Sequence, residues 1–393
     1  MPKKSQPAIL HLVTWYPTKE NHVEGIFIQR HIELLASNKD YRHVVVRKNV
    51  QSVSVLQHLK AIAGISKQEI IGDMPVLLLP DKSGLYKKYF WRHQNAIEQF
   101  ILNRLVKKIQ PALLHLHVVY GFGKEAVQLK KLFGIPFIVT EHISPFPFEW
   151  LTDKQATVIE PTREAAAVAA VGKVQASQIE DYTGVKPFVI HNVVRSDYFF
   201  YHERSKKEPS KGPDIVLTGI YDPRKGVDYL LQSFPALLKK HPGSRLHLAG
   251  TASLERMAVI EKEVEAGGIQ HAVKFHGQLT PADLCKLYHQ CDFYVCSSEM
   301  ESFGVSILEA LFTGLPVLST KCGGVLEFML PENGILIEND RTVETLLNGL
   351  LDMTERLNSF NRQAISADAV DRFSTNRIRE NYLSLYQQVL AKP

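Results

Sequence analysis

A chain of 393 residues exceeds what one hydrophobic core comfortably fills and points to two domains of roughly 200 residues each. Hydrophobic content of 45% and charged content of 22% are those of a globular protein and exclude a disordered chain. The net charge of +5 is unevenly placed: residues 1–195 carry 25 Lys and Arg against 16 Asp and Glu, the remainder 21 against 25. A basic first half suits an anionic acceptor, an anionic membrane surface, or simply an ordinary solvated surface.

The start, Met1-Pro2-Lys3-Lys4-Ser5-Gln6-Pro7, runs straight into a strand-like segment, whereas a signal peptide needs a longer apolar stretch and a small-residue cleavage site. The expectation is a cytoplasmic protein, with peripheral contact at the inner face of the membrane through the basic first half. Cys285, Cys291, Cys296 and Cys322 form no Cys-x-x-Cys pair and no zinc-finger spacing with His, and read as buried small apolar residues. No zinc finger, RNP-like aromatic motif or dense basic run supports nucleic acid binding.

Taken in chain order, residues 8–13 read as a buried strand, followed by a loop through Trp15 to Glu24. Residues 26–35 carry apolar side chains at helical spacing. Strands are expected at 43–46, 112–117, 136–140, 167–171 and 187–190, with helices at 93–109 and 123–133 between them. Residues 201–213 are polar, charged and bear Pro and Gly, as a linker does. The alternation then restarts: strands at 214–218, 245–249, 293–295 and 316–319, and helices at 227–240, up to about 266, 281–290 and 302–312. An amphipathic helix near 374–391 ends the chain.

Strand-helix alternation implies parallel sheets with right-handed crossovers and helices on both faces. The expected fold class is α/β, two Rossmann-like doubly wound parallel-sheet domains facing across a cleft. The boundaries are 1–200 for an acceptor-side domain, 201–213 for the linker and 214–375 for a nucleotide-sugar-binding domain. Helix 376–393 follows, crossing back to the first domain. Ligands of such sheets bind at the carboxyl ends of the strands, which brings the loops after Val13, His117 and Thr140 together.

The most informative segment is residues 297–310, with Glu301 and Glu309 eight apart. With Glu301 at a helix N-terminus, Glu309 lies about two turns on, near the same face. A carboxylate accepts ribose hydroxyls, and helix-terminal amides around Phe303 and Gly304 suit a diphosphate. Alone, a Glu pair on an amphipathic helix is more often a solvated face.

The neighbours change that weighting, because the segment resembles the family 4 glycosyltransferases, a retaining group of GT-B architecture. Their fingerprint is matched by Ser298, Glu301, Phe303, Gly304, Glu309, Ala310, Gly314, Pro316 and Val317. A Gly-Gly-x-x-Glu turn follows at Gly323, Gly324 and Glu327, and an Asn-Gly-x-Leu turn at Asn333-Gly334-Ile335-Leu336. The resemblance covers most of the chain, is densest from about 215 to 340 and weakest between 48 and 92.

The resemblance implies a nucleotide-diphosphate sugar as donor and co-substrate, no cofactor and no metal, in keeping with the lack of an Asp-x-Asp motif. It implies Glu309 on the ribose, and Lys225, with Gly219 and Arg224, on the diphosphate. Ser302, Phe303, Gly304 and Val305 complete the donor set around the helix terminus. Glu301 and His142 would flank the transferring sugar as the catalytic pair, with Gly25 in the loop over the diphosphate and His117 on the acceptor side. The implied activity is retaining, metal-independent transfer of a sugar to a glycan, lipid-linked or small-molecule acceptor, in the synthesis of a surface polysaccharide or glycoconjugate. Two departures stand out. The family has an arginine after the first glycine where this chain has Ile220, and a glycine in the hinge segment where this chain has His191-Asn192-Val193-Val194. They leave a non-catalytic nucleotide-sugar-binding scaffold as one alternative, and a GT-B-like sugar-nucleotide epimerase as another.

Overall fold

The computed structural model describes residues 6–18, 21–52, 60, 63, 67–71, 74–81, 94–203 and 212–391. The chain divides into two compact units, one of Met1–Val193 with Asn376–Pro393 and one of Val194–Thr375. The boundary at Val193 precedes the linker expected at 201–213, of which residues 204–211 lie outside the described residues.

The first unit begins with β1 (Ala8–Val13), α1 (Ile26–Ala36), β2 (Arg42–Ser52), β3 (Lys67–Ile71) and β4 (Met74–Asp81). It continues with α2 (Gln94–Ile109), β5 (Pro111–His117), α3 (Gly123–Phe133), β6 (Phe137–Glu141) and α4 (Glu160–Glu164). β7 (Ala167–Ala170), α5 (Lys173–Thr183) and β8 (Phe188–Val189) complete the series. The sheet order is β3-β4-β2-β1-β5-β6-β7-β8. All pairings are parallel except β3 with β4. The sheet expected as parallel throughout therefore carries an antiparallel edge, made by residues in which no strand was expected.

β1 is buried at all six positions, as a parallel strand covered on both faces must be. Side chains alternate between faces, so Ile9 of β1, Leu113 of β5 and Ile138 of β6 share one face. That face packs against Ile378, Tyr382, Leu385, Tyr386 and Val389 of the C-terminal helix Thr375–Leu390. The opposite face packs Leu10, Leu12, Leu114, Leu116, Phe137 and Val139 into a second core with Leu102, Phe122 and Leu129. The same alternation continues the first face upward through His11, His115, His117 and Thr140 toward the carboxyl ends.

The second unit runs β9 (Asp214–Ile220), α6 (Val227–Lys240), β10 (Arg245–Thr251), α7 (Leu254–Ala266), β11 (Val273–Gly277), α8 (Pro281–Gln290) and β12 (Phe293–Cys296). Then come α9 (Val305–Phe312), β13 (Val317–Thr320), β14 (Gly334–Ile337), α10 (Val343–Arg356) and α11 (Arg362–Arg372). Its sheet is β11-β10-β9-β12-β13-β14, parallel throughout. Thr280 caps α8 through the Asp283 amide and Ser253 caps α7 through that of Arg256, which fixes where those helices start. Strand order reverses between β9 and β12, and a doubly wound sheet opens a ligand crevice at such a switch point.

Candidate active site

The residues after β9 and after β12 meet at that switch point. After β9 the chain makes a short 3-10 turn, Pro223–Lys225, whose Asp222 side chain accepts from the Arg224 amide at 2.8 Å. Lys225 Nζ lies 2.6 Å from Glu301 Oε1, and Ser298 Oγ donates to the same oxygen at 2.8 Å. Ser297 Oγ donates to the Lys225 carbonyl at 2.9 Å and locks the two loops together. Burial works against the Lys225 ammonium, but the Glu301 carboxylate beside it outweighs that and raises its pKa. The outcome is a fixed positive charge and a fixed carboxylate side by side at the carboxyl ends of β9 and β12.

α9 starts next to them. Gly304 takes the left-handed conformation at φ 89° as its N-cap, without a side-chain cap. Two glycines follow the opposite side of the loop: a Cβ on Gly324 would stand 2.3 Å from the Ser302 carbonyl oxygen. The Gly323-Gly324 turn thus lets β13's loop lie against Glu301 and Ser302, where Glu301 pairs with Gly323 in a parallel bridge. Tyr288 Oη donates to the Ser306 carbonyl at 3.3 Å and holds the first turn of α9 to α8.

One expectation needs correction. The helix begins at Val305, not at residue 302, so Glu301 sits on an extended bridge ahead of it and does not share a helix face with Glu309. Phe303 is buried against Phe328 and Phe373, with ring centroids 5.5 and 6.0 Å away, which leaves only its backbone for a ligand. Glu309 is buried in α9. Gly219, the last residue but one of β9, has φ 131° and lies beside Lys225. Arg224 is well exposed, its Nε 3.5 Å from Asp222. Ile220, in the position of the family's arginine, is 54% exposed. Asn333 is structural: its side chain accepts from Leu330 and donates to the Phe328 carbonyl.

In the first unit the order of strands reverses between β1 and β5, and there the side chains are histidines. His43 Nδ1 lies 2.8 Å from His11 Nε2, His11 Nδ1 3.1 Å from His117 Nε2, and His117 Nδ1 3.4 Å from His142 Nε2. His142 Nδ1 lies 3.2 Å from Asn192 Oδ1, so both its ring nitrogens face protein partners. That departs from the role expected for it, a hydrogen bond to a sugar hydroxyl. His115 Nδ1 and Nε2 meet Tyr386 Oη at 2.7 Å and Thr140 Oγ1 at 2.8 Å. Burial pushes the pKa of His11, His115, His117 and His142 well down, and that of His31 and His43 down to about 4. Glu141, next to His142, accepts from the amides of Val119, His142 and Ile143, and burial pushes it up to about 7. Gly25 caps α1 in the left-handed conformation against the Trp15 backbone. His11, His31, His43 and Asn192 were missed in the sequence. For His11 and His43 the signal was the period of two that aligns them with His115.

Residues 201–367 match the family model described as Glycosyl transferases group 1. The matched residues lie within the second unit. The chain is also similar to the D-inositol 3-phosphate glycosyltransferase of Segniliparus rotundus, at 25% identity over 71% of the chain and 66% of that protein. The match to that relative thus falls just short of two thirds of its length. Among solved structures, sucrose-phosphate synthase from Thermosynechococcus elongatus superposes with a TM-score of 0.77 at 16% identity, covering 98% of this chain and 100% of that one. Anabaena Alr3699/HepE, solved with UDP and glucose, gives 0.73 at 16% identity, covering 97% and 100%. At that identity the likeness is one of fold, two α/β units of the GT-B class. Among the described residues no helix is long and apolar enough to cross a membrane.

Proposed function

We propose that the chain is a retaining glycosyltransferase that takes a sugar from a nucleotide-diphosphate donor bound on the second unit. The observation that carries this reading is the Lys225–Glu301–Ser298 cluster at the switch point, set against the N-terminus of α9. Departure of a nucleoside diphosphate develops negative charge, which preorganised cations and amide dipoles stabilise. Lys225, Arg224 and the first-turn amides at Val305 supply them, with Gly219 and Gly304 admitting the backbone close to the phosphates. Glu309 takes the ribose hydroxyls and Glu301 the sugar. The sequence has no Asp-x-Asp motif, and the proposal assigns the leaving group to these residues without a metal. UDP and glucose, with which the Anabaena protein was solved, support a donor of this chemistry.

For the first unit the proposal keeps Gly25 on the acceptor side and withdraws the ligand contact from His117 and His142 alike, since the ring nitrogens of both face protein partners. The basic charge of residues 1–195 supports a glycan or lipid-linked acceptor carrying phosphate, approached at an anionic membrane surface. The test is incubation with a panel of uridine-, guanosine- and adenosine-diphosphate sugars, reading free nucleoside diphosphate. Turnover with one donor supports the proposal, and absence of nucleoside diphosphate binding overturns it. A second reading, a binding protein without turnover, is favoured by exposed Ile220 in the arginine position. Donor binding without release would establish it.

A further inference from the structure

We propose that His31, His117 and His142 form a three-histidine site for a divalent transition metal ion, zinc foremost, inside the first unit. The inference is independent of the donor reading, since it concerns side chains on β5, α1 and the loop after β6. One ring nitrogen of each histidine lies within 4.8 Å of those of the other two, and all three side chains are buried.

The hydrogen bonds fix two of the tautomers. His31 Nε2 lies 3.1 Å from the His191 carbonyl, which only accepts, so Nε2 carries the proton and Nδ1 a lone pair. That Nδ1 is buried and has no hydrogen-bond partner. His142 Nδ1 faces Asn192 Oδ1 at 3.2 Å and donates to it, which leaves a lone pair on Nε2. Between His142 Nε2 and His117 Nδ1 the distance is 3.4 Å, longer than an ordinary N–H···N hydrogen bond. It is close to the separation of about 3.3 Å that two nitrogens take around tetrahedral zinc at about 2.0 Å from each.

Metal-binding histidines typically anchor their second nitrogen to a carbonyl, an amide or a carboxylate, and all three do so here or lean on a further imidazole. His31 has the His191 carbonyl, His142 has Asn192, and His117 has His11. A second triad, His11, His115 and His117, also falls within 4.8 Å. Its His115 is saturated by Tyr386 and Thr140, and its His11 by His43 and His117, so it has no nitrogen to spare. An all-imidazole set suits zinc, nickel or copper rather than magnesium or calcium, and three protein ligands leave a fourth position for water. Burial keeps these imidazoles neutral, the form that ligates.

The full chain, produced in zinc-supplemented medium and dialysed, is expected to hold one zinc per molecule by elemental analysis. X-ray absorption at the zinc edge should show imidazole nitrogens at about 2.0 Å. His31→Gln and His142→Gln should each lose zinc affinity by about 100-fold or more, whereas His43→Gln, outside the triad, should keep it. Circular dichroism accompanies each variant, and the absorption spectrum of the unmutated chain stands even where a variant fails to fold. A folded chain without stoichiometric zinc, sulfur in the coordination shell, or undiminished zinc in folded His31→Gln overturns the proposal.

Discussion

Lys225 and Glu301 come from different strand ends, yet each is positioned by the other and by the serines at 297 and 298. Replacing Lys225 by Met removes the cation that this arrangement presents to a diphosphate and leaves Glu301 with Ser298 alone. The expected loss is about 2 kcal/mol, or about 30-fold, in nucleoside diphosphate affinity by calorimetry. Glu309→Ala is expected to abolish stabilisation by nucleoside diphosphates in a thermal-shift assay while the circular dichroism stays that of the unmutated chain. An unchanged shift removes Glu309 from the ribose. Gly324→Ala tests the close approach of the two loops. A methyl 2.3 Å from the Ser302 oxygen forces them apart, at a cost of about 2 kcal/mol or more, read as a lowered melting temperature. At this scale the fingerprint around Glu301 and Glu309 was legible because its residue types and spacing are tight. Phe303 enters the donor set through its backbone amide, and the packing of its ring against Phe328 and Phe373 was not legible because sequence gives a position and not a direction.

Elements were legible where apolar residues kept a clean period. β1 lies where an unbroken apolar run predicts a strand covered on both faces, and α3 and α6 where buried side chains repeat at three to four residues. β11 was missed because it is an edge strand with exposed residues such as Phe275, which breaks the apolar run. β3 and β4 lie where no expectation was formed, and the antiparallel edge came with them. The expected start of α9 lies three residues early, since nothing in Glu301–Ser302–Phe303 announces the bridge from Glu301 to Gly323 and the bend that follows it. Phe303 now belongs to the packing of α9: Phe303→Ala, which empties the space between Phe328 and Phe373, is expected to cost about 3–5 kcal/mol in chemical denaturation.

For the molecule as a whole, the restart of strand-helix alternation after residue 213 was enough to announce two units, though not the boundary at Val193. The buried histidines give the first unit an acid-sensitive stability. His31 and His43 are neutral when folded, with pKa values of about 4, and take up protons below about 6.5 when unfolded. Their contribution is complete above pH 6.5 and is lost as pH falls toward 4, each by about 3 kcal/mol at most. Glu141 acts in the opposite sense. Held at about 7 by burial, it favours the folded state while protonated and destabilises it as pH rises from about 4.5 through 7. The histidines outnumber it, so urea denaturation at pH 5.0 should show a lower midpoint than at pH 7.5. Equal midpoints would show that the imidazoles titrate in the folded state.

The terminal helix gives the first unit an unusual timetable. Ile9, Leu113 and Ile138 emerge early from the ribosome, but the residues that cover them, Ile378 to Val389, are translated only after the whole second unit. The continuous segment Val194–Thr375 is free to fold while the nascent chain still lacks that cover, whereas the first unit completes its core only once the terminal helix is made. Transcripts truncated before residue 376 would release a finished second unit tethered to a sheet with one greasy side bare, a ready client for chaperones and proteases.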